Sequence, residues 1–488
     1  MNVKELIRIM PGIISVTGTQ EADVNSVADD SRKVKKGALF VAVSGDTHDG
    51  HDFIADALSQ GAEVVIGEKT MDLGGKTYIR VKDSRKALAW SSAWFYGYPG
   101  DKLKIIGITG TSGKTTITYL IRAMLEEAGA RSGLIGTIGN VINGRKLPAS
   151  YTTPGPLRLN ELFLEMVNQN LDYAVMEVSS HSLKLHRVEG LKCEVGVFTN
   201  LTQDHLDFHK TFEDYFCSKQ KLFEQSKRAV INIDDKSGER LLRTVDIPAW
   251  TYGIKNNADL MAKNIRVSGK GVFYDLVFEN KRYPVFYKVP GLFSVYNSLA
   301  ALATGVALGF PTEGLINALK TVRGVPGRFE LIENNRDIIV IVDYAHKPDG
   351  LKNVLSTIRE FCKGRIITVF GCGGDRDKGK RPIMGKIASE LSDYTIITSD
   401  NPRSEDPTSI IEQIESGIKG NNYEKITDRR KAIKKAISMA RKGDAVLIAG
   451  KGHEKYQVIG EKIIHFDDKE VAREYLSNGG PLNEDIDY

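Results

Sequence analysis

Short apolar runs alternate with helical periodicities through most of this chain. The clearest pair begins at Lys104-Ile-Ile-Gly-Ile-Thr109, an apolar strand that passes into a Gly-rich loop. Beyond the loop, Ile117, Leu120, Ile121, Met124, Leu125 and Ala128 recur at helical spacing, and Gly129 closes the pattern. Tyr173-Ala-Val-Met-Glu177 predicts another strand, interrupted by one carboxylate. Towards the C-terminus the apolar runs are Ile338–Val342, Arg365–Phe370, Tyr394–Thr398 and Ala445–Ala449. Helical patterns separate them, as at Lys431 to Ala440, where Ala432, Ile433, Ala436, Ile437 and Ala440 are the apolar positions. Strand alternating with helix implies a parallel sheet, and such sheets bind ligands beyond the carboxyl ends of their strands. The first hundred residues show less: a strand at Ala38–Val43, then a polar loop from Ser44 to His51. The fold class expected is α/β.

A chain of 488 residues is too long for one core and suggests roughly three domains. Two Gly- and Pro-rich stretches mark boundaries, Tyr96-Gly-Tyr-Pro-Gly-Asp101 and Arg323-Gly-Val-Pro-Gly-Arg328. The expected domains are therefore 1–100, 101–330 and 331–488, with no internal repeat. Hydrophobic content of 41% and charged content of 26% describe a soluble globular protein. A net charge of +5 without a long basic run suits anionic small molecules better than nucleic acid. Cys193, Cys217, Cys362 and Cys372 are scattered, which argues against a disulfide framework or zinc site and for a reducing compartment. No signal-peptide core and no stretch of about 18 apolar residues occurs, so a cytoplasmic monomer without a membrane partner is expected.

The Gly-rich loop carries the strongest chemistry. In Gly110-Thr-Ser-Gly-Lys-Thr-Thr116, the glycines let backbone N–H groups approach a polyphosphate. Lys114 supplies a point charge there and Thr115 a hydroxyl for Mg²⁺. The spacing departs from the common phosphate-loop pattern, because Ile108 sits where a glycine is usual. Glu177, leaving a neighbouring strand, is placed to complete a Mg²⁺ shell. Asn200-Leu-Thr-Gln-Asp-His-Leu-Asp-Phe-His209 concentrates two His and two Asp, whose work is metal ligation, general base chemistry or capping of a helix beginning near Thr211. Four further loops follow the C-terminal strands: Asp343–Asp349, Gly371–Arg381, Ser399–Asp406 and Gly450–Glu454. All are polar and rich in Gly or Pro, and all are predicted on one sheet edge. Gly371-Cys-Gly-Gly374 alone is weak evidence for a dinucleotide site, and hydride chemistry is disfavoured.

Taken together, Gly110–Thr116, Glu177–Arg187, Asp204–His209, Tyr296–Asn297, Gly327–Phe329, Asp343–Pro348 and Gly450–Glu454 resemble the Mur ligase family of peptidoglycan precursor synthesis. The resemblance spans essentially the whole chain. It implies an N-terminal uridine-nucleotide domain, a central P-loop ATPase domain and a C-terminal Rossmann-like domain that binds an amino acid. The implied reaction adds meso-2,6-diaminopimelate to UDP-N-acetylmuramoyl-L-alanyl-D-glutamate through an acyl phosphate, with ATP and Mg²⁺. Gly110, Thr111, Ser112, Gly113, Lys114, Thr115 and Thr116 would cradle the ATP phosphates, while Asn297, Arg328, Asp343 and His346 would surround adenine, ribose or phosphates. Thr115, Glu177, His205 and Lys219 would ligate Mg²⁺, Lys219 as a carbamate; Lys114, Lys219 and His205 are the catalytic set. Ser31, with the Asp46-Thr-His48 loop nearby, would contact the UDP part, and Thr152, Thr153, Ser179 and Arg187 the muramoyl-dipeptide. For diaminopimelate, Arg403 would pair its extra carboxylate and Arg376 the other. Glu454 and the Gly450 carbonyl would take the ammonium, while Asp400, Asn401 and Pro402 shape the loop. Tyr151 and Leu185 sit where some members have polar groups.

Three rivals remain. A lysine-adding member of the same family would lack a use for Arg403. A folylpolyglutamate synthetase has no N-terminal domain of this type, against the roughly 100 residues found before the phosphate loop. A P-loop switch without bond formation would leave the Asp400–Arg403 loop without a task.

Overall fold

Ile105, Ile106 and Ile108 are buried from both faces, so the strand before the phosphate loop lies inside a sheet covered on each side. The structure, a computed structural model, describes residues 1–45, 48–202, 204–322 and 324–477. The chain forms two compact units. One comprises Met1–Met261 and Leu299–Ala318; the other comprises Ala262–Ser298 and the residues from Leu319 onward.

The first unit holds two sheets. The N-terminal one is built from β1 (Ile13–Thr17), β2 (Ser26–Ala28), β3 (Ala38–Val41), β4 (Ala62–Gly67) and β5 (Thr77–Val81). Their order is β1-β5-β4-β3-β2, parallel except for β1. The strand expected to reach Val43 stops at Val41, because Val43 accepts the Gly50 N–H and so turns into the following loop.

The second sheet of this unit contains β6 (Lys104–Thr109), β7 (Ser132–Ile135), β8 (Asn140–Ile142), β9 (Arg145–Leu147), β10 (Tyr173–Glu177), β11 (Cys193–Phe198), β12 (Ala229–Asn232) and β13 (Ala249–Gly253). Their order is β13-β12-β11-β6-β10-β7-β8-β9. β6 is central, and its register pairs Ile108 with Glu177 of β10, so the carboxylate leaves its strand beside the entrance to the phosphate loop. The helix after that loop spans Lys114–Glu127, three residues earlier than its apolar pattern, since Gly113 turns the chain at φ 90° and the first turn is polar. The helix expected near Thr211 is Phe212–Glu224, with the Thr211 side chain accepting the Asp214 N–H. A one-turn helix at Leu206–His209 occupies a segment that carries no apolar periodicity.

β14 (Leu260–Ser268) leads into the antiparallel hairpin β15 (Gly271–Phe278) and β16 (Lys281–Tyr287) of the second unit. Its main sheet is built from β17 (Glu330–Ile332), β18 (Ile339–Asp343), β19 (Ile366–Phe370), β20 (Tyr394–Ile397), β21 (Tyr423–Lys425) and β22 (Ala445–Ala449). The order is β17-β18-β22-β19-β20-β21, with only β17 antiparallel. The carboxyl ends of β18, β22, β19 and β20 therefore share one edge, and the four polar loops begin there as expected. Val340, Val342, Val369, Val446 and Ile448 form the core with Ala432, Ile433, Ala436 and Ile437 of the helix Arg429–Met439. A last hairpin, β23 (Tyr456–Ile459) and β24 (Lys462–His465), follows the fourth loop.

Arg429 ties this edge together from within. It pairs with Asp468 at 2.7 Å, both side chains being 0% exposed. It also donates to the carbonyls of Ala449 at 3.1 Å, just before the fourth loop, and of Ser399 at 3.4 Å, which opens the third. Removing one partner leaves a buried charge unpaired. Asp468→Asn should therefore destabilise the second unit by about 3–5 kcal/mol, measurable by urea denaturation; an unchanged midpoint would contradict it.

Candidate active site

Thr199 and Asn200, just beyond β11, brace the phosphate loop. Thr199 Oγ1 donates to Ser112 O at 2.7 Å, Asn200 Oδ1 accepts the Ser112 N–H at 3.0 Å, and Asn200 O accepts that of Thr111 at 2.9 Å. Gly110 is obligatory: at φ 145°, a Cβ there would lie 1.8 Å from Thr199 Oγ1. The Thr111 hydroxyl lies 3.1 Å from that of Tyr215 and accepts the Thr202 N–H at 3.0 Å. Lys114 Nζ crosses the loop to the carbonyls of Gly110 at 2.8 Å and Thr111 at 3.0 Å. Thr116 continues the first helical turn.

Glu177 is 1% exposed, and hydroxyls surround it. Thr115 Oγ1 donates to its Oε2 at 2.9 Å and Thr137 Oγ1 at 3.1 Å, while the Thr137 N–H donates to Oε1 at 2.7 Å. Thr137 was not singled out in the sequence; its signal is only that it follows the end of β7, adjacent to β10. Among the described residues no three His, Cys, Asp or Glu side chains converge as a metal cage. The Thr115–Glu177 pair is nonetheless a hard oxygen donor set of the kind that suits Mg²⁺. His205 lies 3.3 Å from Asp204 and edge-on to His181, with ring centroids 4.8 Å apart.

Lys219 is 1% exposed, and its Nζ donates to Gly110 O at 2.9 Å, the carbonyl that Lys114 also uses. Burial, and secondly the Lys114 charge, push its pKa well below the ordinary lysine value, with Asp204 opposing. The preceding residue, Ser218, donates to Asp214 O at 2.7 Å, so His209 must donate from Nδ1 to Ser218 Oγ at 3.4 Å. His209 Nε2 then accepts from Ser180 at 2.8 Å, which links the Lys219 helix to the turn after Glu177.

That turn gathers the four residues expected at the dipeptide. Thr152 Oγ1 lies 3.1 Å from Thr137 Oγ1. Thr153 Oγ1 donates to Glu177 O at 2.9 Å and accepts the Ser179 N–H at 3.0 Å. Arg187 donates to Thr153 O at 3.1 Å and covers the Tyr151 ring at 4.8 Å. Thr153 is thus internally engaged, whereas Tyr151 is 61% exposed. Leu185 caps the helix Ser180–Lys184. Ser31 opens a one-turn helix capped by Asp30. Asp46 and Thr47 lie outside the described residues, and so does Arg323 of the second boundary stretch. The flank of the Asp46–His48 loop is held by His51, whose ring reaches Asp49 at 2.6 Å and accepts the Glu68 N–H at 2.8 Å.

In the second unit, Asp343 ends β18 and accepts the Phe329 N–H at 2.6 Å, while burial raises its pKa. Arg328 lies over the Tyr344 ring at 5.1 Å, and His346 donates to Tyr344 O at 2.8 Å. Asn297 is 7% exposed in the helix Leu292–Ala307. The third and fourth loops meet directly. Asn401 Nδ2 donates to Glu454 Oε2 at 2.9 Å, and a Cβ on Gly450 would lie 2.8 Å from Asp400 Oδ2. Arg403 Nη1 donates to Gly374 O at 2.6 Å, next to the close approach of Pro402 O to Gly374. Arg376 is exposed in the same loop as Gly374. Lys451, 0% exposed beneath these loops, had no motif of its own to mark it.

Family models match in chain order. Residues 23–96 match "Mur ligase family, catalytic domain", 108–305 "Mur ligase middle domain" and 327–452 "Mur ligase, glutamate ligase domain". UDP-N-acetylmuramoyl-L-alanyl-D-glutamate–2,6-diaminopimelate ligase 1 of Clostridium acetobutylicum is 50% identical over 464 residues, 94% of this chain and 96% of the relative. The chain belongs to the Mur ligase family. The Clostridium tetani ligase of the same designation is 48% identical over 482 residues, 98% of this chain and 99% of its own length. A solved structure of a UDP-N-acetylmuramoyl-L-alanyl-D-glutamate–2,6-diaminopimelate ligase has a TM-score of 0.74 at 33% identity, covering 98% of this chain and 99% of that one. In this Mur ligase the departure at Ile108 is accommodated by a buried strand position, with the turn delayed to Gly110.

His209 provides a test of the arrangement around Lys219. Burial first, then the charges of His181, Lys184 and Lys219, lower its pKa from 6.5 to about 4, against the opposing pull of Asp214. Above pH 6.5 it is neutral in both folded and unfolded states. Between pH 6.5 and about 4 the unfolded chain takes up a proton that the folded site refuses, so this stabilisation is lost as pH falls through that window. Thermal melts should show a shallower acid limb for His209→Gln than for the native protein, and coincident limbs would contradict the assignment.

Proposed function

We propose that this chain is the ATP-dependent ligase that joins meso-2,6-diaminopimelate to UDP-N-acetylmuramoyl-L-alanyl-D-glutamate in peptidoglycan precursor synthesis. The near-full-length likeness to relatives bearing that designation carries the reading. A carboxylate resists amide formation until one oxygen becomes a leaving group. Transfer of the ATP γ-phosphoryl to the D-glutamate side-chain carboxylate gives an acyl phosphate; the amine attacks its carbonyl carbon and phosphate departs. Lys114, whose Nζ crosses the phosphate loop, would neutralise charge that accumulates on the transferring group. Thr115 and Glu177, with His205, would hold Mg²⁺, which when bound neutralises phosphate charge. Asn297, Arg328, Asp343 and His346 would receive the rest of the nucleotide.

Lys219 supports a carbamate. Burial beside Lys114 favours its neutral amine, whose lone pair can add to CO₂ with loss of a proton. The product is an anion at the phosphate loop, able to complete the Mg²⁺ shell. For the amino acid, Arg403 and Arg376 offer guanidinium groups to carboxylates, and Glu454 offers an acceptor to the ammonium. Ser31, Thr152, Thr153, Ser179 and Arg187 would serve the UDP-muramoyl-dipeptide. The domain assignment proposed is 1–100 for the uridine nucleotide, 101–330 for ATP and 331–488 for the amino acid. No described helix is long and apolar enough to cross a membrane. A cytoplasmic location fits the four free cysteines, and a monomer handling small molecules in cell-wall growth and division is part of the same proposal.

Phosphate release should require ATP, the UDP-muramoyl-dipeptide and the diamino acid together. Meso-diaminopimelate should exceed L-lysine in kcat/KM by roughly 10⁴, because lysine leaves Arg403 without its carboxylate. Comparable values for the two amino acids would refute the substrate assignment. Lys219→Ala should be nearly inactive and partly rescued by small carboxylic acids such as formate; full activity without them would overturn the carbamate.

A further inference from the structure

Lys451 is a fully buried cation among the loops proposed to bind the amino acid. Its Nζ lies 3.2 Å from Asn401 Oδ1 and 3.2 Å from Glu454 Oε2, with the side chain 0% exposed. The chain is forced to turn it inward. Gly450 at φ 116° and Gly452 at φ 54° flank it, and a Cβ on Gly452 would meet Tyr344 Cβ at 2.7 Å. The contacts form a closed triangle, because Asn401 Nδ2 also donates to Glu454 Oε2 at 2.9 Å. Asn401 Oδ1 additionally accepts the Val458 N–H at 3.0 Å, so the amide is occupied by protein at both its oxygen and its nitrogen. Glu454 Oε2 takes two donors, while Oε1 has no hydrogen-bond partner among the described residues and the side chain stays 18% exposed.

We propose that Lys451 is a positioning residue for amino-acid specificity: its ammonium anchors Glu454 through Oε2 and Asn401 through Oδ1, leaving Glu454 Oε1 aimed at the ammonium of the substrate's distal zwitterionic centre. This rests on the reading of the site as one for meso-diaminopimelate. Without Lys451, Glu454 loses one of the two contacts that fix its rotamer. A less firmly held carboxylate can follow the distal amine of lysine as readily as the ammonium held beside an Arg403-bound carboxylate. Lys451 therefore sharpens discrimination without touching substrate.

The test uses the full chain with Lys451→Met, Lys451→Gln, Glu454→Gln and the Lys451→Met/Glu454→Gln double variant, assayed by phosphate release. Lys451→Met should raise KM for meso-diaminopimelate about tenfold or more and leave KM for ATP within about twofold. It should also narrow the preference over L-lysine. In the Glu454→Gln background the Lys451→Met change should add little, because the residue it positions is already altered. A purely structural role would instead lower kcat and raise both KM values together, or give additive losses, and either result overturns the proposal. Failure of both Lys451→Met and Lys451→Gln to fold, judged by circular dichroism, overturns it as well. If the native enzyme itself shows no preference for meso-diaminopimelate, the substrate reading has failed. If that preference is present and Lys451→Met preserves it, the inference about Lys451 has failed.

Discussion

One carbonyl oxygen governs the surroundings of the Gly-rich loop in the first unit. Gly110 O accepts from both Lys114 and Lys219, at 2.8 and 2.9 Å, in a place almost closed to water. Two ammonium groups so near each other repel strongly at low dielectric, and the one deeper in the protein relinquishes its proton more easily. The bracing by Thr199, Asn200, Thr111 and Tyr215 makes the arrangement rigid, so relief comes from chemistry rather than movement. Glu177, buried on the neighbouring strand, accepts three hydrogen bonds from Thr115 and Thr137, which satisfy its oxygens.

The second unit gathers both signs of charge at one sheet edge. Its loops interleave Arg403 with Asp400 and Glu454, and the supports beneath them are themselves charged. Arg429 with Asp468 holds the strand ends, and Arg381, 0% exposed, pairs with Glu405 at 2.9 Å to hold the Gly-rich second loop. Hydrogen bonds from these arginines to backbone carbonyls fix where each loop departs, which apolar packing alone would leave loose.

Much of this was legible in the chain. Continuous apolar runs were strong at β6, β10, β18, β19, β20 and β22 because those strands are buried on both faces, and the loops that follow β18, β19, β20 and β22 then had to share an edge. The phosphate loop announced itself through Gly110, Gly113 and Lys114, whose chemistry depends on residue type and spacing. Less legible were the parts made by tertiary contact. Thr137 and Lys451 are ordinary residues in ordinary surroundings until another strand delivers Glu177, or another loop delivers Asn401. The helix at Leu206–His209 is too short for periodicity to reveal it, and Asp343 reads as a loop residue although it closes a strand by accepting a backbone N–H.

The strand order of the second unit has a bearing on synthesis. β22 is the last strand of its sheet along the chain, yet it lies between β18 and β19, the second and third. Until Ala445–Ala449 has left the ribosome, β18 and β19 have no common neighbour and the sheet is split in two. The apolar faces of Val340, Val342 and Val369 must wait, exposed, for a partner made about a hundred residues later. A nascent chain of this kind is most prone to aggregation just before completion, and a protein released early would carry a finished phosphate loop beside a sheet edge whose loops had not been brought together.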